Sequence, residues 1–483
     1  MTLGTLRDDA LTTTPGGFRV RLSLPWIRSL PLWSVRDLDV AVDGLPVQGL
    51  TCVLGERSVP RCELSAEQGW WFLQDRLTLE APTMLASGSH RVAVSFSLAV
   101  PYLQAGPDGP LTLPFRIERA LELDAGPEHG DMPTTGAKTA DRPASPPQPG
   151  LDPEWTLAAS AFNWTPEVVR ADRPATDIAV DIVADGIAEV VELEPGQLWR
   201  SFPQTTDAEA EELRDRLAAA GGRVSIVGAS LDDWASPTRR RPDTERLDFL
   251  LPQLHAAQRV GAEGVRLPAG QAGPALLGRL LPHLHDLGLT LYEEVQGQQT
   301  PSSPEHAAAY DAVVEVGDAR VRLLLDISML MPALPVSYLE RLEAGGIPSE
   351  LVARLRDDWR DPATHAAVVT LLRTGGVPPT VQTLYMNLLV RFGRSDAADL
   401  RGMLPLVGAV HLKFWDLDDV DGRVSRPIHE LARELAPTGF SGTLCSEWGG
   451  HEWLDDDPAV MTSAHLALAR SALAQGAASV LAL

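Results

Sequence analysis

The stretch LTLYEEVQ, Leu289 to Gln296, is an apolar run that ends in two adjacent carboxylates and an amide. It is too short for an ordinary helix and reads as a buried strand whose last residues meet something other than core. The pattern returns three times downstream, in VRLLLDIS (Val321–Ser328), AVHLKFW (Ala409–Trp415) and TLCSEWGGHEW (Thr443–Trp453). Outward from these runs, short apolar segments alternate with longer helix-like ones. Strands are expected over Leu157–Phe162, Ile187–Leu193, Val224–Val227, Gly264–Leu267, Leu289–Val295, Val321–Ile327, Ala409–Lys413 and Gly442–Glu447. Helices are expected between them, for example over Ala208–Ala220, Thr244–Val260 and Ala275–Leu287. Eight strands with intervening helices predict an α/β fold, a (β/α)8 TIM barrel over residues 151–483. An open doubly wound sheet is the competing arrangement, but no Gly-rich dinucleotide loop follows the first strand. Residues Pro332–Arg394 form a long helical insertion after the sixth strand, expected to cover the site.

Upstream of the barrel the apolar period is two. Phe18, Val20, Leu22 and Leu24 alternate with polar residues, as do Leu38, Val40 and Val42 before an Asp43-Gly44 turn. Val92, Val94, Phe96, Leu98 and Val100 form the longest stripe, and Leu111 to Leu123 alternates too. Residues 1–125 are therefore expected to form a small all-β sandwich or barrel, with Trp26, Trp33, Trp70 and Trp71 read as core packing. Between the two parts, GPEHGDMPTTGAKTADRPASPPQPG (residues 126–150) offers almost nothing to bury and reads as a flexible linker.

The composition sets limits on partners. The 483 residues carry 65 acidic and 41 basic side chains, a formal net charge of −24, which disfavours nucleic acid and anionic membrane surfaces. No run approaches the about 20 apolar residues of a membrane helix, and no signal-peptide core is seen at the N-terminus, so a cytoplasmic protein is expected. The three cysteines, Cys52, Cys62 and Cys445, are expected to be unpaired, the first two as core thiols. Of 41 basic residues only Lys138 and Lys413 are lysines.

In a TIM barrel, polar residues at the C-terminal ends of strands face the site. A charge within an apolar strand is costly unless something satisfies it. Four consecutive strands end in such groups: Glu293 and Glu294, then Asp326, then His411 with Lys413, then Glu447 with His451 nearby. Three carboxylates and an imidazole form a hard donor set that suits a divalent metal, first Mn²⁺, with Mg²⁺, Co²⁺ or Zn²⁺ as alternatives. Other charged clusters have plainer readings. His283 and His285 fall in the last turns of a helix, and Arg239–Arg241 is a solvated run. DLDDVDG (Asp416–Gly422) lacks the spacing and terminal Glu of a calcium loop.

The motifs E-V-Q-G, L-L-D-I-S, V-H-L-K-F and C-S-E-W-G-G-H together resemble the sugar isomerase and epimerase barrels of the xylose isomerase-like superfamily. More narrowly, H-L-K-F followed by S-E-W-G-G-H resembles the α subunit of bacterial C-glycoside deglycosidases. FRVRLSLPWIRSLPLWSVRDLDVAVDG, WFLQDRLTL and HRVAVSFSLAVPY resemble the small β subunit of the same enzymes, and the resemblance implies both parts fused on one chain, β part first. The resemblance implies Glu294, Asp326, His411 and Glu447 as metal ligands. Glu294 is chosen over Glu293 because the family's Glu stands two residues before a polar position, here Gln296 where the family more often has His. It implies a 3-oxo-glycoside substrate. The ketone acidifies the C2 proton, and loss of that proton drives β-elimination of the aglycone from C1, with a metal stabilising the charge on oxygen. His451 or Glu447 is the expected base, and Lys413 polarises the keto oxygen. Gln296, Arg391 and Arg394 are candidates for substrate contacts. The family also implies a homo-oligomeric assembly. The alternatives are a keto-sugar isomerase or epimerase on the same barrel, and a carbohydrate-binding protein without catalysis.

Overall fold

The computed structural model describes residues 4–106, 109–126 and 155–481. The expected linker over 126–150 lies outside the described residues except for Gly126, as does Lys138.

The N-terminal part is built wholly of antiparallel pairs. A five-stranded sheet runs in the order Leu6–Thr14, Gly17–Ser23, Arg76–Ala81, Thr51–Leu54, Arg57–Pro60. A four-stranded sheet runs Gly109–Glu122, Ser89–Gly106, Val35–Val42, Leu45–Pro46. The expected stripes are its core: Phe18, Val20 and Leu22 from one sheet, and Val92, Val94, Phe96 and Leu98 from the other, are all buried. The Asp43-Gly44 turn forms as expected, with φ of 51° and 80°, the paired positive values of a tight hairpin turn. Short 3-10 turns at Leu32–Ser34 and Arg61–Ala66 interrupt the strands. All three thiols are unpaired, but only Cys52 and Cys445 are buried; Cys62, expected in the core, is exposed on the second of these turns.

The second part closes into a parallel barrel rather than an open sheet. Its strands are β1 (Thr156–Ser160), β2 (Val190–Leu193), β3 (Arg223–Gly228), β4 (Gly264–Pro268), β5 (Thr290–Val295), β6 (Val321–Asp326), β7 (Val407–Phe414) and β8 (Thr443–Trp448). Neighbours in sequence are neighbours in the barrel, and β1 pairs with β8 to close it. The strands are buried on both faces, which is why they read as continuous apolar runs rather than alternating ones. Ala161 and Phe162, expected to end the first strand, instead open a 3-10 segment, Ala161–Trp164, that leads into the helix Thr165–Arg170.

Two additions sit on the C-terminal face of the barrel. The insertion between β6 and β7 carries helices Val336–Ala344, Ser349–Asp357 and Pro362–Arg373 around its own apolar cluster of Tyr338, Trp359, Tyr385 and Phe392. Phe392 meets Trp415, just past β7, edge to face at 4.9 Å, which ties the insertion to the barrel. Gly297, after β5, sits at φ 56°, and a Cβ there would lie 2.0 Å from Val390 O, so only glycine lets the insertion approach.

The all-β part docks over β2 and β3. Ser29 N and Oγ donate to Gly196 O at 2.8 and 2.6 Å, and Gln197 Nε2 donates to Ile27 O at 2.7 Å. Arg28 forms a buried ion pair with Asp232, and Trp70 packs edge to face on Phe202 at 5.0 Å. A Cβ at Gly196 would lie 3.1 Å from Arg28 Cβ, so the close approach uses the bare backbone.

Candidate active site

The C-terminal ends of β2, β4, β5, β6, β7 and β8 deliver charged side chains to one place. In-register pairing sets Asp326 beside His411 and Lys413 beside Glu447. Ligand atoms of Glu294, Asp326, His411 and Glu447 all lie within 4.8 Å of one another, and all four residues are buried. His411 Nδ1 is 3.0 Å from Glu294 Oε1 and 2.9 Å from Glu447 Oε2. Lys413 Nζ is 3.1 Å from that same Glu447 oxygen. Alternation separates Glu293 from Glu294: Glu293 accepts the N–H of Gly270, while Glu294 joins the cluster.

Three carboxylates this close repel one another, and their environment shows it. Burial pushes Asp326 up to about 6, helped by the charges of Glu447 and Glu294 and opposed by Lys413. Glu447 is also driven up by burial, but Lys413 and His411 outweigh this and hold it well below the usual carboxylate range. Burial opposes protonation of His411, yet Glu192 and Glu447 outweigh it and raise its affinity for a proton. Asp326 Oδ1 accepts from Ser328 N at 2.7 Å, whereas its buried Oδ2 has no partner among the described residues. Glu447 Oε2 meets neither neighbouring cation at hydrogen-bonding angles. Convergent, buried, incompletely satisfied oxygen donors with one imidazole fit a hard divalent cation. These residues can hold a metal.

The remaining sequence candidates divide. His451 lies on a 3-10 turn after β8, with its ring 5.0 Å from Phe162 and 5.6 Å from Trp448. It is buried, neither ring nitrogen has a partner among the described residues, and burial lowers its pKa to about 4. Arg391 is not a loose surface group: it pairs with Glu452, next to His451, and feels the charges of Glu447 and Asp326. Arg394 is not brought to the cluster. Its guanidinium lies over Trp359 at 3.8 Å and donates to Trp359 O, inside the insertion. Gln296 is half-buried after β5, its N–H donating to Gln299 Oε1 at 3.0 Å, with no side-chain bond to the cluster. The plainer readings hold for DLDDVDG, where Asp419 accepts from Val424 N and Ser425 N at the next helix and Asp421 pairs with Arg423. His285 contacts Asp318 at 2.9 Å.

Two residues of the site, the buried Glu192 and the half-buried Arg266, escaped the sequence reading. Glu192 on β2 places both carboxylate oxygens 3.0–3.1 Å from His411 Nε2. Arg266 on β4 donates from Nε to Glu192 Oε1 at 2.6 Å and from Nη1 to Glu294 Oε2 at 3.0 Å, and pairs with Glu194. Both interrupt apolar runs, VVEL and GVRLP, which is the signal that exposed Glu294 and Asp326. Glu194, pushed by burial up to about 7 against the pull of Arg266, completes this side of the site.

A closed (β/α)8 barrel thus carries a charged, metal-competent cluster at the ends of its strands and is joined to an all-β part. No family model matches the chain. It is 28% identical over 325 residues to the C-glycoside deglycosidase alpha subunit of Arthrobacter globiformis, covering 66% of this chain and 92% of that protein. It is also 30% identical over 100 residues to the 3'-dehydrocarminate deglycosidase beta subunit of a Microbacterium species, covering 20% of this chain and 76% of that one. The chain belongs to the C-glycoside deglycosidase family, with alpha- and beta-subunit homologues on one polypeptide. Among solved structures, a xylose isomerase domain protein from Alicyclobacillus acidocaldarius superposes with a TM-score of 0.39 at 17% identity, over 68% of this chain and 99% of that one.

Proposed function

We propose that the protein is a metal-dependent lyase that releases the aglycone from 3-oxo-glucosides by removing the C2 proton and eliminating across C1–C2. The observation that carries this reading is His451, a buried imidazole with two unpartnered nitrogens beside the four-residue cluster. A beta-subunit relative named for a 3'-dehydro glycoside supports the oxidised sugar as substrate class.

A divalent cation, Mn²⁺ in the first instance, held by Glu294, Asp326, His411 and Glu447 supplies positive charge where oxygen turns negative. His451 is the base. Its neutral ring takes the C2 proton, and the C–H electron pair moves toward the C3 carbonyl. As the ketone re-forms, a C1–C2 double bond is made and the C1–aglycone bond breaks, its electron pair leaving with the aglycone, which gains a proton. Glu447 is the weaker candidate for the base because the charges of Lys413 and His411 hold its carboxyl well below the usual carboxylate range. Lys413, the one lysine among the described residues, donates toward the keto oxygen. Arg391, aimed by Glu452, holds sugar hydroxyls at the rim.

The test is turnover of a 3-oxo-C-glucoside and a 3-oxo-O-glucoside by metal-stripped protein, with and without added Mn²⁺. Metal-restored aglycone release from either supports the lyase and ranks the two bond types. Absence of release, alongside metal-dependent isotope exchange into a free keto sugar, replaces it with an isomerase.

A further inference from the structure

His411 has charged partners on both ring nitrogens, and the two sides are built differently. At Nδ1 stand Glu294 and Glu447, with Asp326 close by and oxygens lacking partners. At Nε2 stands Glu192, fully buried and fully engaged: Oε1 accepts from Arg266 Nε at 2.6 Å, and both oxygens lie 3.0–3.1 Å from Nε2. Cys445 Sγ lies close enough to Glu192 and His411 for the three to form a second cluster. That cluster is a poor cation site. The Arg266 guanidinium already neutralises Glu192 there, and a thiol must lose its proton to ligate. The Nε2 side is therefore built to hold a proton, and the Nδ1 side to hold a cation.

We propose that Glu192 is a positioning residue, which binds the Nε2–H of His411 so that the Nδ1 lone pair faces the cation, with Arg266 bracing Glu192 and Glu294 together. The inference rests on the metal-site reading above. A carboxylate behind a ligating histidine sets the tautomer, fixes the ring plane and raises the donor strength of the other nitrogen. Arg266 extends the brace across the barrel, because one side chain on β4 touches β2 and β5 at once. It also offsets part of the negative charge that would otherwise accumulate behind the ligands.

The first test uses the unaltered full chain, labelled with ¹⁵N-histidine and loaded with diamagnetic Zn²⁺. The His411 resonances should show Nδ1 bound to metal and Nε2 carrying a hydrogen-bonded proton. Metal on Nε2 overturns the proposal. The second test titrates Mn²⁺ into Glu192→Gln and Glu447→Gln at neutral pH. Glu192→Gln should weaken binding about 10–100-fold, the range for outer partners of metal ligands, while Glu447→Gln abolishes it. Loss in Glu447→Gln with unaltered binding in Glu192→Gln overturns the role of Glu192 alone. Unaltered binding in Glu447→Gln overturns the ligand assignment beneath it. If Glu192→Gln does not fold, as judged by circular dichroism, the tautomer of the unaltered protein decides.

Discussion

Strands β5 to β8 and strands β2 and β4 send the same kinds of charged residue toward the same axis, and the two arcs use them differently. On β5 to β8 the carboxylates of Glu294, Asp326 and Glu447 converge, and Asp326 Oδ2 and Glu447 Oε2 have no hydrogen-bond partner among the described residues. On β2 and β4, Glu192 and Glu194 are each matched by the Arg266 guanidinium. One arc is left electrostatically incomplete, and the other is completed by its own cation. Charge type does not make a binding site; unmet charge does. The same division holds above the barrel. The helical insertion covers the β5–β8 side through Gly297 and Phe392, while the all-β part is pinned over β2 and β3 through Ser29, Arg28 and Gln197.

Substitutions can break this contrast. Glu294→Gln or Glu447→Gln should abolish Mn²⁺ binding and reduce aglycone release by more than about 10³-fold, in line with loss of electrostatic stabilisation at the reacting centre. Metal content by mass spectrometry checks the first and single-turnover release the second. Retained metal in both variants would move the site elsewhere. His451→Gln should keep Mn²⁺ affinity but lower the release rate about 10²–10⁴-fold, the usual contribution of a general base. A matched loss of metal would instead make His451 a structural neighbour of the cluster.

The docking side offers a test that reads stability alone. Arg28→Ala leaves Asp232 buried without its cation, and removing one partner of a buried pair costs about 3–5 kcal/mol. Chemical unfolding should show that loss. An unchanged midpoint would mean that the all-β part is held by its backbone bonds and the Trp70–Phe202 contact.

Per pH unit, the smallest effect sharpens the picture behind β8. His465 is buried, 2.8 Å from Ser446 Oγ, and stacked on Phe414 at 3.8 Å. Burial lowers its pKa from 6.5 to about 3, so the folded chain keeps it neutral while the unfolded chain takes up a proton below pH 6.5. Its contribution is therefore intact above pH 6.5 and is lost as pH falls toward 3, by about 1.4 kcal/mol for each unit. His465→Gln should flatten that part of the stability profile. An identical slope in the variant would place the acid sensitivity on other groups.

Much of the site is legible in the sequence. Glu294, Asp326, His411 and Glu447 interrupt or end apolar strands, and a charge in such a run demands a reason. Glu192 and Arg266 carry the same mark, but a single charged residue in a short strand is equally well explained by a local ion pair. Arg394 shows the opposite limit. It shares the segment VRFGRSD with Arg391, yet three residues of chain turn one toward Glu452 and the other onto Trp359.

By itself the sequence determined the class of each part, because periods of two and runs of buried strand arise from backbone geometry and burial, which are local. It also determined which strand ends carry the unusual charge. Tertiary structure alone decided how those charges are shared. Whether a carboxylate is left unmet or paired depends on a partner such as Arg266, 74 residues from Glu192 along the chain and 2.6 Å away in space. It also decided where the all-β part sits, since Ser29 and Gly196 stand 167 residues apart and meet only through two finished surfaces.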